Sequence, residues 1–138
     1  MTDGLYPRDA ERACLGAAIL DNRFIRGPLS CLAVQHFALS AHAEIFALML
    51  DFDQEGSPFD ILVLEDSLRQ RNTLETIGGL AYLIDLTDGV VVHSRLIERH
   101  AKTVVRCWQL RELSAGVRKS EAVALRHPVM PVADRLGG

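Results

Sequence analysis

Few residues in this sequence carry chemistry, and their spacing decides what they can do. His93, His100 and Cys107 recur every seven residues. On a helix they would share one side but stand two turns apart, about 10 Å. Zinc ligands converge on one ion at about 2 Å, so this series reads as structural. Asp51, Asp53, Glu55 and Gly56 imitate the opening of a calcium loop. The bidentate Glu needed at the twelfth position is Leu62, and Pro58 interrupts the loop. The two Lys-Ser/Thr pairs, Lys102-Thr103 and Lys119-Ser120, lack the glycines of a phosphate cradle: Leu96 and Leu113 stand at the first glycine position, Ala101 and Arg118 at the second. Glu65 and Asp66 are neighbours, so on a helix they point to different faces and make no acid/base pair. No nucleophile elbow is present. These residues support neither an enzyme nor a cofactor or metal site.

The elements that would hold these residues are helical. Leu occurs 20 times and Ala 15 times in 138 residues, while aromatics make up only 6%. After Pro7, Asp9 can cap a helix to about Leu20 that is apolar nearly all round, the pattern of a buried central helix. A second short helix is expected within Phe24–Leu32, its regular part starting near Gly27-Pro28. Ser40 is a capping candidate for a helix with Ala41, Ile45, Leu48, Met49 and Phe52 on one face, stopping at Gly56. Asp60 caps the next, with Ile61, Leu64 and Leu68 inward. Gly78-Gly79 turns into a short helix with Leu80, Leu83 and Ile84 inward. From Ser94 a long helix runs at least to Ala115. The expected fold is all-α: a compact head of about five helices over residues 1–90, a hairpin-helix region over 91–126, and a linker or tail over 127–138.

Charge divides the chain. Residues 1–92 hold 6 Lys/Arg and 14 Asp/Glu, net −8, whereas residues 93–138 hold 9 and 4, net +5. Arg95, Arg99, Lys102 and Arg106 make the basic arm a candidate nucleic-acid contact. Binding to duplex DNA is expected to be weak, because few phosphates can be neutralised and the acidic head repels the rest. No apolar run is long enough for a membrane span. Cys14, Cys31 and Cys107 are odd in number and widely spaced, which argues against a disulfide framework and for a reducing cytoplasm.

Five segments in order carry a family resemblance: Pro7 with Asp9-Ala10-Glu11 and Leu15-Gly16; Phe37 with Ala41-His42 and Ile45-Phe46; Gly56-Ser57-Pro58-Phe59-Asp60 with Leu64 and Leu68; Leu74-Glu75, Gly78-Gly79 and Tyr82-Leu83; and residues 94–113, which fit the start of a helical hairpin. Together they resemble the N-terminal domain of replicative DNA helicases of the DnaB family. Asp9 stands where the family usually has Glu, and Ala43 where it has Arg. The resemblance implies a helical head and hairpin that assemble as a hexameric collar and contact primase or a helicase loader. ATP and magnesium would belong to a separate motor domain, which would make the parent protein an ATP-dependent helicase and leave this chain non-catalytic.

The long helix suggests how such a module associates. Ile97, Ala101, Val104 and Trp108 form its main stripe, while Leu110 and Leu113 lie on the other side. With apolar residues on both sides, these six are the candidate oligomer interface, most simply in a two-fold dimer anchored by Trp108. In a monomer, residues 117–126 would have to fold back over the same surface. A stand-alone helical nucleic-acid-binding regulator is the alternative function, resting on the basic arm.

Overall fold

The computed structural model describes residues 6–126, with side chains described to residue 116. Its α-helices are α1 (Arg8–Leu20), α2 (Ser40–Glu55), α3 (Ile61–Gln70), α4 (Leu74–Ile77), α5 (Gly79–Thr87) and α6 (Ser94–Arg126), with 3-10 turns at Asn22–Arg26 and Val34–His36. No strand occurs among the described residues, so the chain is all-α, as expected.

Helix α1 is the centre of the head. Ala10, Cys14, Leu15, Ala17, Ala18 and Ile19 are all buried along it. Gly16 lets α1 meet α5 closely: a Cβ there would stand 2.0 Å from the Leu86 carbonyl oxygen. Asp9 lies in the first turn, and Pro7 occupies the capping position. At the other end Asn22 donates to the Ala18 carbonyl at 2.8 Å and accepts from the Phe59 N–H at 2.8 Å. One amide thereby ends α1 and ties down the approach to α3.

Helix α2 buries Ile45, Phe46, Leu48 and Met49. It ends at Gly56, whose φ of +70° is the left-handed conformation that closes a helix at little cost for glycine. Asp60 accepts from the Val63 N–H at 2.9 Å and caps α3. Leu64 and Leu68 are fully buried on α3, while Leu62 is 66% exposed. That pattern is helical, and each buried leucine contributes about 2 kcal/mol.

Several expectations need correction. The short second helix is a 3-10 turn that precedes Gly27-Pro28, because the proline ring is tolerated only at a helix start. Ser40 lies inside α2, the capping position falls on Leu39, and no side chain caps there. Leu83 is buried as expected, but Ile84 is half exposed and Leu86 turns inward in its place. The one-turn helix α4 went unanticipated.

The chain divides into two units, Met1–Trp108 and Gln109–Gly138. The boundary between these units falls within α6. Ile97, Ala101 and Val104, expected at an interface between chains, are at most 1% exposed and belong to the core of the first unit. They close the head, so the head is longer than its motifs suggested. Helix α6 continues through Gly116 to Arg126. Residues 117–126 are thus helical in continuation of α6. The tail expected over 127–138 lies outside the described residues.

Candidate interaction surface

The helical period assigns α6 two faces. At about 100° per residue, Ile97, Ala101, Val104 and Trp108 fall on one side, which the head covers. Trp108 is half-buried and meets the ring of His36 edge-on at 4.7 Å between centroids. It anchors α6 to its own head, which removes it as the leading anchor between chains. Arg95, Arg99, Lys102 and Arg106 fall within an arc of about 60° on the opposite side, and all four are exposed. None of them forms an ion pair among the described residues. In the second unit Leu110 is 42% and Leu113 65% exposed. Of the six apolar candidates, only these two remain open to solvent as large side chains.

The other singled-out residues have structural partners. Asp53 binds the Arg26 guanidinium at 3.0 Å, and Asp51 meets Arg71 at 3.4 Å. Glu65 pairs with Arg69 at 2.9 Å within α3. His93 is exposed, His100 half-buried and Cys107 buried, so the series on α6 does not share one environment. No group of three His, Cys, Asp or Glu side chains converges among the described residues.

One arrangement escaped the sequence reading. Glu11 and His42 are both fully buried. Glu11 accepts from the Ala38 N–H at 2.6 Å, and its other oxygen lies 2.8 Å from His42 Nδ1. His42 Nε2 pairs with the Tyr82 hydroxyl. This chain joins α1, the entry to α2, and α5 through polar contacts inside an apolar head. A buried carboxylate is tolerated only when its lone pairs are met, as they are here. The signal was present: all three residues lie in the motif segments of the family resemblance. Burial raises the Tyr82 hydroxyl pKa, and Arg12 and Arg8 oppose that shift. The Arg12 guanidinium sits over the Tyr82 ring and pairs with Asp85 at the rim. Burial likewise raises the Cys14 thiol pKa, with Cys31 and Glu11 adding to it.

No helix among the described residues is long and apolar enough to cross a membrane. The family model described as the DnaB-like helicase N terminal domain matches residues 5–106. The replicative DNA helicase DnaB of Treponema pallidum is 39% identical over 82 residues, 59% of this chain and 19% of that protein. The Geobacillus stearothermophilus replicative DNA helicase DnaB is 33% identical over 116 residues, 84% of this chain and 25% of that protein. The chain thus spans a quarter or less of the length of these two relatives. The crystal structure of the N-terminal domain of DnaB helicase from Mycobacterium tuberculosis superposes with a TM-score of 0.78 at 29% identity, covering 92% of this chain and 91% of that one. With this helical head, these motifs at its core and a family match over most of its length, the chain belongs to the DnaB-like helicase N-terminal domains.

Proposed function

We propose that this chain is a non-catalytic assembly module of a replicative DNA helicase. It works in the cytoplasm during DNA replication, oligomerises as part of a collar, and presents surface to a primase or a helicase loader. ATP and magnesium are the business of a motor domain; the sequence here has no phosphate cradle for them. The observation that carries the reading is the state of α6. Its main apolar stripe completes the head, yet Leu110 and Leu113 beyond it stay exposed. Large exposed aliphatics at neighbouring helical positions are suited to cover by a second helix. A two-fold pairing of α6 with its counterpart is the simplest way to cover them.

Light scattering across a concentration series tests the proposal. The expected result is a dimer or larger species that Leu113→Asp converts to monomer without lowering the melting temperature. A wild-type monomer at high micromolar concentration would overturn the self-association.

A further inference from the structure

We propose that the exposed face of α6 binds the sugar–phosphate backbone of single-stranded nucleic acid through Arg95, Arg99, Lys102 and Arg106. This inference goes beyond the assembly role and does not depend on it. Like charges crowded on one helix face repel one another and weaken the helix. A protein that needed only solubility could scatter them. Here all four are exposed in one narrow arc and lack carboxylate partners among the described residues. They succeed one another along the axis at about 6, 4.5 and 6 Å, a row of about 16 Å.

Charge complementarity selects a polyanion, and the arrangement selects a single strand. One row of cations can follow one flexible backbone. A duplex is too stiff to bend along the row and offers it only a few of its phosphates, so it gains less from the same four cations. Three of the four cations are arginines, whose planar fork engages phosphate oxygens two at a time. An acidic protein segment fits less well, because stable protein contacts centre on buried aromatic or aliphatic anchors, and on this face those anchors, Leu110 and Leu113, stand beyond the row and not within it. The stretch also lacks an aromatic stacking platform: Trp108 is turned to the other side, against His36. Binding is therefore sequence-independent and strongly salt-dependent.

The test is fluorescence anisotropy of a labelled oligothymidylate with the full chain between about 50 and 200 mM salt. Four neutralised phosphates give a log–log salt slope of about −3. The triple variant Arg99→Ala, Lys102→Ala, Arg106→Ala keeps good helix formers in place. It should weaken binding at least tenfold and flatten the slope to about −1, with an unchanged circular dichroism melt. A control variant, Arg23→Ala, Arg69→Ala, Arg71→Ala, removes the same charge elsewhere and should bind nearly as wild type. Equal weakening by both variants would overturn the site, as would absence of binding at the lowest salt. Displacement by polyglutamate at matched charge concentration would assign the row to an acidic protein segment and overturn the nucleic-acid assignment. Tighter binding of the matching duplex would overturn the single-strand preference.

Discussion

Gly16 is the position at which one added carbon matters most. Its Cβ would meet the Leu86 carbonyl oxygen, a backbone atom that cannot rotate away. Gly16→Ala is expected to destabilise the head by about 3 kcal/mol, read as a lower urea midpoint. Glu11 comes next. Glu11→Ala strands both the Ala38 N–H and His42 Nδ1 in the core and should cost about 3 kcal/mol, whereas Tyr82→Phe, at a half-buried position, should cost about 1 kcal/mol. Tyr82 also gives stability an alkaline limit. Its pKa is raised in the folded state, so the folded protein holds that proton more tightly than the unfolded chain. The contribution is fully present below the unfolded value of about 10 and is lost as pH rises through the folded value. Melting curves above that pH should fall for the wild type and fall less for Tyr82→Phe. Thiol chemistry should discriminate as well: Cys31 is exposed while Cys14 and Cys107 are buried. Alkylation of the native protein is expected at Cys31, and at the other two only after denaturation, as mass spectrometry of peptides would show.

At the scale of elements, what the sequence revealed depended on local rules. Asp60 before an apolar run, and Gly56 after one, mark helix ends through hydrogen bonds made within a few residues. Both ends appear where those residues stand. Asp60→Ala should cost about 1 kcal/mol in chemical unfolding. The 3-10 turns and α4 are too short to show a period, so they left no comparable mark. For α6 the period correctly separated the apolar stripe from Leu110 and Leu113. What covers a stripe, however, is a tertiary fact, and Ile97, Ala101 and Val104 proved to be covered by their own head. The exposed remainder, with the basic row, was legible as residue types but not as a face free of carboxylate partners. Ile97→Ala should therefore lower stability by about 3 kcal/mol whatever the protein concentration.

At the scale of the whole molecule, the acidic portion builds most of the head, while the basic portion completes it through Ile97, Ala101 and Val104 and carries the surfaces proposed to meet partners. Nucleotide turnover by the chain alone is expected to be absent, and activity that stays with the protein through every purification step but is missing from a mock preparation would refute this. The buried chain Glu11–His42–Tyr82 has a further consequence, in time and not in strength. Its links close loops of 31 and 40 residues. The first cannot form before α1 and α2 have met, nor the second before α2 and α5 have, and until then water satisfies those groups equally well. The network thus acts as a late check on correct docking: a misregistered head strands a carboxylate in the core and comes apart. Its loss should leave the refolding rate nearly unchanged and accelerate unfolding, so that Glu11→Ala raises the unfolding limb of a chevron plot and leaves the folding limb in place.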